Sequence, residues 1–218
     1  MGGSSVQGSL RDIAPAGLKL IETMRWEPGC GVLRRDLHLA RLARGCQALG
    51  IPEPDAGAVL DPVTGEVALR LRLTVGLSGE VELTQAKLGP VAPLWHVKIA
   101  RERLASNAPW LRIKTTERSL YDRVRETLPA GIDEVIFLNE RDELCEGTIT
   151  NLFLERDDGV LLTPPVSSGC LPGVLRRALL DDGRAQEAVL RPDDLIGRRF
   201  YMGNSLRGLI AAEIAAAS

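Results

Sequence analysis

Alternation of apolar and polar residues marks the first half of the chain as strand-rich. Residues 17–26 alternate loosely. Further on, Val67, Leu69, Leu71, Leu73, Val75 and Leu77 interleave with Arg70, Arg72 and Thr74. A period of two places the apolar set on one face of a half-buried strand. Ser78-Gly79 turns that strand into a second one near 81–83, and residues 94–100 predict a third. Between the first two strands, Leu39, Leu42, Cys46 and Leu49 recur at helical spacing. The pattern predicts a helix over 36–49, stopped by Gly50 and Pro52.

Residues 101–109 read as a connector, which divides the chain into an N-terminal lobe over 1–103 and a C-terminal lobe over 104–218. In the second lobe the pattern predicts a helix over 116–128, a strand over 134–138 and a turn over 139–142. A hairpin follows, with strands 148–155 and 160–162 around Asp157-Asp158-Gly159. A helix over 172–180 has Pro172 near its first turn, where a missing N–H does no harm. A strand over 199–202 and a last helix over 205–216 complete the series. The expected fold class is α/β (α+β) in two lobes, with a ligand site between them.

Composition narrows the picture. The 218 residues are 44% hydrophobic and 26% charged, enough for a core in one large or two small domains. A net charge of −2 gives no general pull toward nucleic acid or membrane. No stretch approaches the ~20 apolar residues of a membrane span. The Gly- and Ser-rich opening lacks the basic start and apolar run of a signal peptide, and reads as floppy or tag-like. Cys30, Cys46, Cys145 and Cys170 show no Cys-x-x-Cys spacing, and His38 and His96 are the two histidines, so no metal site is expected. Free thiols suit the cytoplasm. With Lys19, Lys87, Lys98 and Lys114 as the complete set of lysines, lysine chemistry has few carriers.

Five segments carry candidate chemistry, each with an ordinary reading beside it. Leu171-Pro172-Gly173-Val174-Leu175-Arg176 is a helix start whose free N–H groups suit a phosphate. Met202-Gly203-Asn204-Ser205-Leu206-Arg207 is read as a second such start, where Asn204 or Ser205 could equally be a cap. Arg41, in His38-Leu39-Ala40-Arg41-Leu42, is either solvated or a two-pronged anion contact. Lys114 follows Leu111 and Ile113 at an expected strand end. Glu146, in Cys145-Glu146-Gly147-Thr148-Ile149-Thr150-Asn151, is a turn carboxylate ahead of an apolar strand.

Taken in order, the segments ETMRWEPG, HLARL, KTTERSLYD, DEVIFLNERDELCEGTITNLF, LLTPPVSSGCLPGVLR and GNSLRGL resemble the fold-type IV pyridoxal 5'-phosphate (PLP) enzymes. These are the class IV aminotransferases and their lyase relatives. The likeness runs over about residues 20–209. It implies a D-amino-acid aminotransferase-like fold of two lobes, PLP in the cleft and a homodimer. By that likeness Lys114 bears the cofactor as a Schiff base and Glu146 meets the pyridine nitrogen. Arg41, the N–H groups of Val174 and Leu175, and Ser205 with Asn204 beside it take the phosphate. Thr150 and Asn151 complete the cofactor set. Where branched-chain transaminases carry a tyrosine this chain has Ser119, and Tyr121 is the alternative contact to the ring oxygen. Residues 51–90 are trimmed relative to typical members.

TMRWEPG, the KTT context and NSLRG look more like aminodeoxychorismate lyases. That resemblance implies a small-molecule amino substrate, 4-amino-4-deoxychorismate, split to p-aminobenzoate and pyruvate on the folate branch. Thr23, Arg25, Arg70 and Arg72 would meet the substrate, although alternating arginines are more often a strand's wet face. The alternative is an aminotransferase acting on branched-chain or D-amino acids with a 2-oxo acid acceptor. An apolar pocket would favour that alternative, and two carboxylate sites would favour the lyase.

Overall fold

The computed structural model describes residues 10–216, so the Gly/Ser-rich opening, apart from Leu10, lies outside the described residues. Strands β1 (Lys19–Glu27), β2 (Gly31–Val32), β3 (Leu69–Gly76) and β4 (Val81–Lys87) form an antiparallel sheet in the order β2-β1-β3-β4. The period-two pattern explains how it packs. Leu20, Met24, Leu71 and Leu73 form one face, which meets Leu42, Cys46 and Leu49 of helix α1 (Arg35–Leu49). Gly45 permits the close approach, because a Cβ there would lie 2.7 Å from Leu20 Cδ2. A short helix, α2 (Ala56–Leu60), adds Ala56 and Leu60 to the same core. The opposite face carries the polar set. Thr23 stands against Arg72, and Arg25 against Arg70.

The chain passes to the second sheet at residues 88–93. That sheet contains β5 (Leu94–Leu104), β6 (Glu134–Asn139), β7 (Asn151–Glu155), β8 (Leu161–Thr163), β9 (Ala185–Glu187), β10 (Phe200–Asn204) and β11 (Gly208–Ile214). Its order is β6-β5-β11-β10-β7-β8-β9. Phe137 meets Val124 of helix α3 (Ser119–Glu126), and Phe153 meets Leu175 and Leu179 of helix α4 (Val174–Asp181). Ile136, Leu138, Leu152 and Leu154 belong to another cluster, with Leu190 and Leu195. Successive residues of one strand thus enter different cores, as strand geometry requires.

Three sequence expectations are corrected here. The last helix, over 205–216, is a strand. Its alanines favour a helix intrinsically, but β11 is hydrogen-bonded on both edges, antiparallel to β10 and parallel to β5. Ile210 and Ala212 are its buried positions, two apart. Tertiary pairing overrides propensity. The expected connector over 101–109 is strand up to Leu104, so the boundary expected at 103/104 falls at the end of β5. Helix α4 begins at Val174 with Gly173 as N-cap, so Pro172 precedes it.

Glu134 opens β6 as a fully buried carboxylate ahead of four apolar residues. It accepts from Thr148 N at 2.9 Å, Thr148 Oγ1 at 2.6 Å, Ile149 N at 3.2 Å and Thr150 Oγ1 at 3.1 Å. One side chain therefore fixes the loop that follows Glu146. Glu134→Ala strands those donors, and we expect a loss of about 2–4 kcal/mol in urea unfolding, with Glu134→Gln less damaging. Equal stability of Glu134→Ala and the parent protein would show that the loop holds itself.

Candidate active site

A cavity of about 420 Å³ opens between the two sheets. The first sheet contributes Ile21, Thr23, Arg70 and Arg72 from its polar face, and α1 contributes Arg41. The second lobe contributes Glu146, Thr150, Asn151 and Val174, and the β10–β11 turn contributes Asn204, Ser205 and Arg207. Lys114 enters on a segment clipped to the edge of β1. Ile21 N donates to Lys114 O at 2.9 Å, and Thr116 N donates to Lys19 O at 2.9 Å.

Lys114 and Glu146 both line this cavity, and its electrostatics push them in opposite directions. Burial, then the nearby Arg41 guanidinium, lowers the Lys114 ammonium to about 8. Burial raises the Glu146 carboxyl to about 7, against the opposing pull of its hydrogen bonds. Tyr121 donates its hydroxyl to Glu146 Oε1 at 2.7 Å, and Leu171 N donates to Oε2 at 2.9 Å. Those two donors fix the carboxylate plane. Burial, followed by the Glu146 charge, holds Tyr121 protonated. Of the two candidates for the ring oxygen, Tyr121 lines the cavity and Ser119 does not.

Arg41 is not solvated. Its Nε and Nη2 donate to the two oxygens of buried Glu22 at 2.8 and 2.6 Å. Burial alone would raise Glu22, but Arg41 and His38 together bring it down to about 2. His38, also buried, sits 2.6 Å from Glu22 through Nδ1 and 2.8 Å from Ser205 Oγ through Nε2. Burial favours a neutral imidazole. With its proton on Nδ1, His38 donates to Glu22 and accepts from Ser205, an assignment that follows from the partners. Arg34 completes the bridge, with Nε to Ser205 Oγ at 3.0 Å and Nη2 to Ser205 O at 2.7 Å. Its backbone is left-handed, at φ 55°, a conformation uncommon outside glycine.

A phosphate has a fitting cradle. Gly173 caps α4 with no side-chain hydrogen bond, leaving the first N–H groups of the helix open where Gly173 and Val174 line the cavity. A Cβ on Gly173 would lie against Asn151 Oδ1, so a larger residue there would push the Asn151 amide aside. Arg41 lines the same space, and Ser205 stands at its margin. These residues could hold the phosphate of a PLP molecule, with Lys114 and Glu146 lining the same cavity.

Leu175, expected to offer its backbone N–H alone, packs its side chain beside Phe153 in the core. Two sequence expectations land differently. Arg25 does not line the cavity and pairs with Glu27 at 2.6 Å. Asn204 and Ser205 do not start a helix. Asn204 Oδ1 accepts from the N–H groups of Leu206 and Arg207, which builds a tight turn. Sequence reading passed over Glu22, His38, Arg34, Glu134 and Arg207. One signal was available for His38, because it lies three residues before Arg41 on a helix and so shares its face. Among the described residues, no group of three or more His, Cys, Asp or Glu could hold a metal, and no helix is long and apolar enough to cross a membrane.

Comparison with known proteins places this geometry. A solved protein from Mesorhizobium loti, provisionally named an amino-acid aminotransferase, is 45% identical, with a TM-score of 0.85 over 91% of this chain and 100% of its own. A hypothetical aminotransferase from Mycobacterium tuberculosis, solved in a PLP-bound form, is 20% identical, with a TM-score of 0.77 over 98% and 86% of the two chains. At that identity it shows the fold. The aminodeoxychorismate lyase of Saccharomyces cerevisiae is 28% identical over 139 residues, 55% of this chain. The chain thus matches 37% of the length of that curated relative. The model of the amino-transferase class IV family matches residues 19–213. Two α/β lobes, a lysine and a carboxylate across one cavity and a phosphate cradle at a helix start accord with that match, and the chain belongs to the amino-transferase class IV family of PLP-dependent enzymes.

Proposed function

We propose that the chain is a 4-amino-4-deoxychorismate lyase that releases p-aminobenzoate and pyruvate, with Lys114 carrying PLP. The observation that supports the reading is the convergence of Lys114, Glu146 and the arginine-bearing strand face on one cavity. When bound, PLP serves as an electron sink for the substrate carbon that bears the amine. The chain's residues supply the rest. Glu146, oriented by Tyr121 and Leu171, keeps the ring nitrogen protonated. A cation beside Glu146 also reverses the effect of burial on its charge. Arg41, steadied by Glu22, holds the phosphate with the α4 N–H groups and the backbone N–H of Ser205, in the turn that the Asn204 side chain locks. Thr150 and Asn151 frame the ring side of the same cradle.

Lys114 Nζ, once the substrate amine has displaced it from PLP, would take the proton from the amine-bearing carbon. The neighbouring ring carbon–oxygen bond would then break, enolpyruvate would leave and take up a proton to become pyruvate, and the ring would become aromatic. A lysine lowered to about 8 offers far more free amine at neutral pH than an ordinary one. Arg70 and Arg72 on β3, with Thr23 opposite, bind substrate carboxylate, and an arginine wall is a poor seat for a branched aliphatic side chain. The homodimer implied by the family likeness and the cytoplasmic setting suggested by the free thiols belong to the same proposal. The name of the Mesorhizobium loti neighbour favours a second reading, an aminotransferase using a 2-oxo acid acceptor.

Three outcomes check the proposal. PLP added to the apoprotein should gain its long-wavelength absorbance, and Lys114→Ala should abolish it. Persistence of that colour until another lysine is changed would move the assignment. The rate of attachment should rise about tenfold per pH unit below 8 and level off above it, since the free amine reacts and the ammonium does not. A midpoint near that of an unperturbed lysine would contradict the buried environment. Finally, aminodeoxychorismate supplied without any keto acid should yield equal amounts of p-aminobenzoate and pyruvate. PLP-loaded protein that releases neither, yet transaminates with an added 2-oxo acid, would replace the lyase by the second reading.

A further inference from the structure

The arginines around the cavity divide into those already occupied and those left open. Arg41 is held by Glu22. Arg118 donates to Asp122 at 2.6 Å and to Thr148 O at 3.1 Å. Arg125 donates to Thr148 Oγ1 at 3.0 Å. Arg70, Arg72 and Arg207 also line the cavity, yet their guanidinium groups make no ion pair or hydrogen bond among the described residues.

Their placement is specific. Arg70 and Arg72 project from β3 of the first lobe, on the face away from its core. Arg207 comes from the second lobe, on the β10–β11 turn. That turn is locked by Asn204 Oδ1, which accepts from Arg207 N at 2.9 Å, and by Asn204 Nδ2, which donates to Ile149 O at 3.1 Å. Burial, then Arg125 and Arg70, lowers the proton affinity of Arg207. Burial, then Arg118 and Arg70, does the same for Arg72. Arg70 therefore acts on both of the others, with Arg72 to one side and Arg207 across the lobe boundary. Like charges gathered in a partly desolvated space repel each other, and bound anions relieve the repulsion. Guanidinium groups free of a protein partner can give two parallel hydrogen bonds to a carboxylate.

We propose that Arg207 is a specificity-determining residue. Together with Arg70 of the opposite lobe it seats a second anionic group of the substrate, so that the cavity selects amino compounds bearing two separated carboxylates. Arg72 takes the first carboxylate. This inference rests on reading the cavity as the substrate site, and it does not depend on which bond is broken there. It also gives the lobe boundary a role in recognition, since the seat joins Arg70 of one lobe to Arg207 of the other at one cavity.

Isothermal titration of the PLP-loaded protein with benzoate and with isophthalate tests it, because the two probes differ by one carboxylate. We expect isophthalate to bind roughly ten- to hundredfold more tightly than benzoate, as one charge-assisted contact provides. Arg207→Gln should erase most of that ratio by weakening isophthalate and leaving benzoate little changed, with the PLP absorbance intact. Arg207→Lys should keep part of the ratio. Arg70→Gln, on an open strand face, should lower the ratio in the same way, and it carries the test if Arg207→Gln does not retain PLP. Equal binding of the two probes by the parent protein would overturn the proposal. So would an unchanged ratio in the glutamine variants. Discrimination that persists in a protein without lyase turnover removes the reaction and keeps the seat, whereas turnover without discrimination removes the seat alone.

Discussion

Glu22 and Arg41 form a buried ion pair on which the cavity depends. Through His38 the pair continues to Ser205, so a strand and helix of one sheet are hydrogen-bonded to a turn of the other. A carboxylate this deep is tolerated because three donors converge on it, and removal of one member would leave an uncompensated buried charge. The consequence is geometric as well as energetic. With Nε and Nη2 of Arg41 committed to Glu22, Nη1 remains free at the cavity, and the guanidinium cannot swing away. Arg34 adds a second crossing, at the cost of a left-handed backbone at the start of α1. The two lobes are thus registered by polar contacts at the site itself, and the apolar clusters lie on either side of it.

Legibility in the sequence followed the range of the interactions. Strands with strict alternation, such as β3, and the helix α1 were readable because each buries one local stripe, and the pattern of that stripe is the cause of the element. β11 was misread for the opposite reason. Alanines carry little patterning, and the partners that make the segment a strand lie in β5 and β10. β2 and β9 are two or three residues long and were too short to show any period.

The site divides in the same way. Lys114, Glu146, Arg41, Thr150, Asn151, Val174, Asn204 and Ser205 were nominated from ordered motifs, and all of them line the cavity. Arg25 was nominated with its strand neighbours and instead pairs with Glu27. The supports were out of reach, because Glu22, His38 and Glu134 act through contacts 14 to 167 positions away in sequence. Glu134 did leave a trace, as one carboxylate at the head of the all-apolar run Val135-Ile136-Phe137-Leu138, but the trace does not say what it binds.

The place of β11 in its sheet bears on how the molecule is made. It is the last strand of the described sequence, yet it lies between β5 and β10, with two strands on one side and four on the other. During vectorial synthesis the strands from β5 to β10 emerge before their central member, and β5 has no neighbour toward β10 until β11 arrives. The turn bearing Ser205 and Arg207 directly precedes β11 and is closed by its pairing with β10. Long-range pairing of this kind is slow to nucleate. The cleft is therefore assembled from residues spread across the sequence and completed by its late-emerging portion, with the facing edges of β5 and β10 exposed to chance partners until then.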